Sequence, residues 1–231
     1  MGNINTNTKA EEFIAKIIHD LKTPINAQIK ALESFLYTAS DKISQEEKDL
    51  IELTLNSCNY MQKLIEIFIS VHKLDERKLI LNYEKFSICK LIKSIIDELK
   101  ILLKYYQLEI DFKYENEIVI NADKLQIKRV IENLLSNCIN HAYQNSTIEI
   151  NLETKDQILI IEIKSNSDYL EPKVLKEIFE KYKSHSSKYT SMCNGLGLYL
   201  SLEIIKAHDG KMIARSYPDD INIFGFEIPL D

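Results

Sequence analysis

The chain is short of the residues that staple, break or anchor a fold. Its 231 residues include only four cysteines, Cys58, Cys89, Cys138 and Cys193, and no two of them form a CxxC pair. No secretory leader precedes them, so a reduced, cytoplasmic setting is expected, with each cysteine a small core residue. No run approaches the roughly 20 apolar residues that a membrane helix needs. The chain as given is therefore expected to be soluble, any membrane receptor portion lying outside it. Basic charge is also in deficit: 29 Lys and Arg stand against 35 Asp and Glu, a net charge of -6. That argues against a general nucleic-acid surface. What is present, 45% hydrophobic and 28% charged residues, suits one large or two small globular domains.

The most informative stretch runs from Phe13 to Pro24, FIAKIIHDLKTP. Ile14, Ile18, Leu21, Ile25, Leu32 and Phe35 recur at helical spacing and draw one apolar stripe. His19 sits beside that stripe, so its imidazole is expected to reach solvent. Asp20 adjoins it, and Thr23 lies one turn on along the same face. Pro24 removes a backbone donor and predicts a bend. A surface histidine before a helix-stopping proline fits poorly, because the apolar pattern continues past Pro24.

Residues 1–8 are polar and expected to be a flexible tail. A long helix follows from about Lys9 to Ala39. Ser44-Gln-Glu-Glu47 reads as a capping box that opens a second helix, with Ile51, Leu55, Cys58, Ile65, Phe68 and Val71 on one side. Two such helices make an antiparallel hairpin, residues 9–78, that cannot cover both apolar seams alone. Pairing with a second copy into a four-helix bundle, a homodimer, is the physical expectation.

Asp75-Glu-Arg-Lys78 is a charged connector, and residues 79–231 form a second domain. Helices are expected over Ile88–Tyr106, Lys124–Tyr143, Val174–Tyr182 and Leu196–Asp209. Strand patterns cover Leu108–Tyr114, Thr147–Leu152, Gln157–Lys164, Lys211–Ser216 and Ile221–Pro229. Helices mixed with antiparallel-looking strands imply a two-layer α/β sandwich, so the whole chain is α+β.

Two further segments carry chemistry. Asn133, Asn137, Asn140 and His141 recur along one predicted helix, opposite Val130, Leu134 and Ile139. Asparagine is a poor interior helix residue. Such a face is either a polar wall toward a ligand, with amide oxygens suited to Mg²⁺, or a plain solvated face. Asn194-Gly-Leu-Gly-Leu198 spends two of the chain's five glycines just before a helix start, where bare backbone amides suit phosphate. Lys183 to Thr190 is a polar, basic loop, either a lid with Lys183 or Lys188 near phosphates or a solvated loop.

Taken together, these segments resemble the cytoplasmic core of bacterial sensor histidine kinases. The His19 to Pro24 run is similar to the family's phosphoacceptor box and the Asn133 to Asn137 helix to its N box. Ile178 to Tyr182 is similar to the F box, and Asn194 to Leu198 to the second glycine box. The resemblance implies a dimerisation and phosphotransfer hairpin, then an ATP-binding domain of the type shared with gyrase and the chaperone Hsp90. It implies that His19 attacks the γ-phosphate of ATP, that Asp20 orients the imidazole, and that Thr23 positions a water in the reverse direction. Asn137 with Asn133 would hold Mg²⁺, and Gly195, Leu196 and Gly197 would cradle phosphate. Asn140, His141, Ser165, Asn166 and Lys183 would complete the ATP site. The phosphoryl group would pass to an aspartate on the receiver domain of a response regulator.

One box departs from the pattern. Where the family has DxGxG, this chain has Ser165-Asn-Ser-Asp-Tyr169. The acidic acceptor for the adenine amino group becomes Ser165, and the glycines become Ser167 and Tyr169. A neutral hydroxyl makes a weaker hydrogen bond, a loss on the order of 1–3 kcal/mol of nucleotide affinity. A shift in loop register could instead bring Asp168 to that place. The departure keeps an alternative in view: a histidine phosphotransferase or phosphatase that does not use ATP.

Overall fold

The computed structural model describes residues 4–39, 42–75, 80–180 and 197–230. The chain divides between Glu76 and Arg77 into two compact units, two residues ahead of the expected boundary.

The first unit is the helical hairpin. Helix α1 spans Ile4–Ala39 and α2 spans Gln45–Asp75. The expected tail at residues 1–8 is corrected in part, since helix is present from Ile4. No glycine or proline separates Ile4 from Phe13, and each residue added to an existing helix gains a backbone hydrogen bond. α1 runs through Pro24 as one helix. α2 opens on the predicted capping box. The Ser44 backbone N–H donates to Glu47 Oε2 at 2.8 Å, and Glu47 N–H donates back to Ser44 Oγ at 3.3 Å. The Ser44 backbone N–H foremost, then its hydroxyl donating to the same Oε2 at 2.9 Å, hold the Glu47 carboxyl below its ordinary range. Ile25, Ile29 and Cys58 are the buried centre between the helices, with Leu32, Leu55 and Ile65 packed at its margin. Leu21 and Phe35, which the periodicity put in the same stripe, are 49% and 47% exposed.

The second unit is a helix layer on a sheet. After strand β1, Glu84–Ser87, helix α3 runs Ile88–Tyr106. Ser87 caps it by accepting from Lys90 N–H, and Gln107 ends it in the left-handed region at φ 55°. Strands β2, Glu109–Tyr114, and β3, Val119–Ala122, lead to helix α4, Lys124–His141. Asp123 caps α4, accepting from Gln126 N–H at 3.0 Å. Strands β4, Thr147–Lys155, and β5, Ile158–Asn166, form a hairpin. Helix α5 covers Pro172–Glu177 only. Helix α6, Gly197–Ala207, and strands β6, Lys211–Tyr217, and β7, Ile221–Pro229, close the unit.

The main sheet has the order β2-β4-β5-β7-β6, and β1 pairs with β3 in a separate antiparallel ribbon. β2 and β4 are parallel, although the strands look antiparallel in the sequence. Their connection passes through β3 and α4, a crossover long enough to bring the chain back in the same direction. α4 packs between α3 and α6. Its buried face, Ile127, Val130, Ile131, Leu134, Leu135, Cys138 and Ile139, meets Leu159, Ile161 and Ile163 of β5 and their neighbours in the core. Two polar ties fasten the helix layer. His208, buried after α6, accepts from Asp123 N–H through Nε2 at 3.1 Å and donates from Nδ1 to Ile204 O at 2.8 Å. That tautomer follows from its partners. No helix among the described residues is long and apolar enough to cross a membrane.

Candidate functional site

The phosphoacceptor segment lies on the continuous helix α1. His19 is helical in its backbone, while the placement of its side chain lies outside what is described. Asp20 and Thr23 are exposed on the same helix. One residue beyond Pro24, Ile25 is buried against α2. Asp20 and Thr23 are therefore exposed on a helix that Ile25 anchors to α2.

In the second unit the candidate site grows from α4. Asn133 and Asn137 are half-buried, and Asn140 and His141 are exposed in the last turn. The structure gives Asn133 a specific task. Its Nδ2 donates to Ser201 Oγ on α6 at 2.9 Å, and Ser201 Oγ donates to Gly197 O at 3.0 Å. A side chain at Gly197 would drive its Cβ into the Asn133 amide, closer than van der Waals contact allows. The Asn133 amide thus occupies the space that a side chain at position 197 would take. Asn133, Gly197 and Ser201 together tie the first turn of α6 to α4, and the Asn133 bond uses its Nδ2 and not its Oδ1. Lys183, Gly195 and Leu196 lie outside the described residues.

The altered glycine box sits at the end of β5. Ser165 is 2% exposed and lies directly opposite Asn222 on β7. Burial pushes the pKa of the Cys138 thiol of α4 up to about 12, and the Ser165 hydroxyl beside it works against that rise. Asn166 points its side chain outward, and its carbonyl accepts from Tyr143 N–H at 2.8 Å, tying the exit of α4 to β5. Asp168 does not take the place of Ser165. β5 and β7 stay in register through Ser165 and Asn166. The Asp168 carboxylate accepts from the Tyr143 hydroxyl at 2.9 Å, and Asp220 lies at 3.0 Å from the same oxygen. These partners, Asp168 first, push the Tyr143 phenol up to about 12. Tyr169 is 41% exposed, turned toward solvent rather than into the interior. The F-box segment also differs from expectation. α5 stops at Glu177, Ile178 and Phe179 fall in the turn after it, and Lys181 and Tyr182 lie outside the described residues.

Ser201, Ser167 and Asn222 were not foreseen. A usable signal existed for Asn222: it occupies the core-facing parity of β7 shared by Phe224, Phe226 and Ile228, where an amide has no packing reason to be.

Comparison with known proteins matches these two units separately. Residues 9–77 match the His Kinase A (phospho-acceptor) domain, and residues 122–231 match the histidine kinase-, DNA gyrase B- and HSP90-like ATPase. The chain is 27% identical over 211 residues to the sensor histidine kinase YvrG of Bacillus subtilis, which covers 89% of this chain and 36% of that protein. It is 24% identical over 236 residues to the sensor protein DltS of Streptococcus agalactiae, covering 100% of this chain and 57% of that protein. In fold it resembles the Acinetobacter baumannii histidine kinase AdeS, with a TM-score of 0.67 at 19% identity over 92% of this chain and 98% of that one. The chain thus spans between about a quarter and somewhat over half of the length of the curated relatives it matches. It carries a phosphoacceptor domain followed in order by this ATPase domain, the arrangement of a sensor histidine kinase core.

Proposed function

We propose that this chain is the ATP-dependent kinase core of a two-component system, autophosphorylating on His19 and passing the phosphoryl group to an aspartate of a response-regulator receiver domain. The observation that carries the reading is the lock between Asn133, Ser201 and Gly197. It holds a helix N-terminus with no side chain on its first residue beside the amide face of α4. A helix start of that kind offers backbone N–H groups to phosphate.

In this reading a ring nitrogen of His19 forms a bond to the γ-phosphorus as the bond to the ADP oxygen breaks. Asp20 holds the imidazole in the tautomer that presents a lone pair and takes up the positive charge that develops. Mg²⁺, held by the Asn137 and Asn133 amide oxygens and the phosphates, would spread the charge of the transferred group. Asn133 keeps the cradle in place, and Asn140, His141 and Asn166 border it, with Lys183, Gly195 and Leu196 supplying further phosphate contacts. Thr23 positions a water for the reverse reaction. The working unit is a homodimer in the cytoplasm, because the hairpin alone leaves Leu21, Phe35, Leu50 and Leu53 uncovered.

A second reading has one observation in its favour: Ser165 sets its hydroxyl beside Cys138 and offers no charge to a base. The chain would then carry phosphoryl groups through His19 without consuming ATP. Incubation with γ-labelled ATP separates the two. Acid-labile label on the wild type and none on His19→Gln is the expected outcome. Absence of label on both, with label still acquired from a phosphorylated receiver domain, would establish the second reading instead.

A further inference from the structure

Among the described residues, the buried side-chain atom left without a hydrogen-bond partner is Oδ1 of Asn222. The amide is not loosely placed. Its Nδ2 faces the Ser167 carbonyl at 3.2 Å, the Ser167 hydroxyl at 2.6 Å and the Asp168 carbonyl at 2.9 Å. Turning the group over would set its oxygen against two carbonyl oxygens, so the neighbours decide which atom is left over. A buried acceptor without a donor costs stability and survives where something else uses it.

Its location says what would use it. Asn222 and Ser165 are direct cross-strand partners, so both side chains lie on the helix-facing side of the sheet. Ser165 touches Cys138 of α4, the residue next to Asn137. Ser165, Ser167 and Asn222 are all 5% exposed or less. They form a polar island in a layer otherwise built from Leu159, Ile161, Ile163, Phe224 and Phe226. The other strong acceptors at this end of the sheet, the carboxylates of Asp168 and Asp220, are both turned to the Tyr143 hydroxyl.

We propose that Asn222 Oδ1 is the acceptor that reads the exocyclic amino group of the bound adenine, above a neutral floor made by Ser165 and Ser167. The inference rests on the nucleotide-binding reading above and adds a specificity-determining residue to it. An amide oxygen only accepts, so it selects a base that presents an N–H and disfavours one that presents a carbonyl there. Oδ1 is buried, so in this proposal the base would displace the side chains over it as it enters.

The test compares ATP with purine riboside 5′-triphosphate, which carries hydrogen in place of the amino group, by calorimetric titration of the full chain. The wild type is expected to bind ATP about tenfold more tightly. Asn222→Leu is expected to lower ATP affinity to that of the analogue while leaving the analogue's affinity as it was. Equal binding of the two triphosphates by the wild type, or discrimination that survives in Asn222→Leu, overturns the inference and leaves the nucleotide reading standing. Binding of neither triphosphate overturns both. Should the leucine variant not fold, the wild type decides by itself, through its discrimination ratio and the side-chain amide resonance of Asn222. That signal should shift with ATP and stay in place with the analogue; a shift with both overturns the inference.

Discussion

The two units bury their apolar residues to very different depths. In the α/β unit, helix α4 sends Ile127, Val130, Ile131 and Leu134 into a core that leaves them no exposed surface. In the hairpin, the described buried residues Ile25, Ile29 and Cys58 form a thin seam, and Leu50 and Leu53 stand mostly in solvent. A two-layer unit closes its own core, because each amphipathic helix has a sheet face to cover it. Two helices have only each other. Each can hide one strip of its surface against its neighbour, and the rest calls for a further pair of helices. The α/β unit is therefore self-contained, whereas the hairpin leaves apolar surface that a partner would cover.

Breaking each surface in turn sharpens that contrast. The largest effect is expected from Leu21→Asp combined with Phe35→Asp, which places charge on the uncovered stripe of α1. The chain should pass from dimer to monomer in analytical ultracentrifugation at micromolar concentration. If the stripe were merely solvated, the pair would change nothing beyond the small effects of ordinary surface substitutions, roughly 0.5 kcal/mol each. Next comes Leu134→Ala in α4, where the void cannot be filled by solvent. Urea unfolding should lose about 2–5 kcal/mol, independent of protein concentration. A concentration-dependent loss would mean that the α/β unit also relies on a partner. The smallest expected effect is Ser87→Ala, which removes the cap of α3 and should cost about 1 kcal/mol in the same assay. No change in self-association should accompany it.

How much of this was legible in the sequence depended on how local the cause was. The capping box at Ser44 and Glu47 was readable because donor and acceptor are three residues apart. The β7 strand was readable from its alternation of aromatic and branched residues, down to its boundaries at Ile221 and Pro229. The ribbon of β1 and β3 was not, because each strand has four residues and finds its partner more than thirty positions away. α5 came out shorter than its apolar spacing suggested, since a six-residue helix is decided by what it packs on rather than by propensity. In the site, Asn133 and Gly197 were each visible as unusual residues. Their contact across two helices was not, and neither was Ser201, which looks in sequence like any small residue of an apolar helix.

By itself, the sequence determined the two-part organisation, the helical period of the hairpin, the strand period of the sheet, and which segments spend polar residues where a core would not want them. Those are properties of spacing along a single chain, where backbone geometry links neighbours directly. Only the tertiary structure decided which polar groups meet: that the Ser165 hydroxyl lies beside Cys138, that Asp168 and Asp220 converge on Tyr143, and that one oxygen of Asn222 is left over. Hydrogen bonds between strands and helices distant in sequence depend on register and approach to within a fraction of an ångström, and no local pattern carries that information.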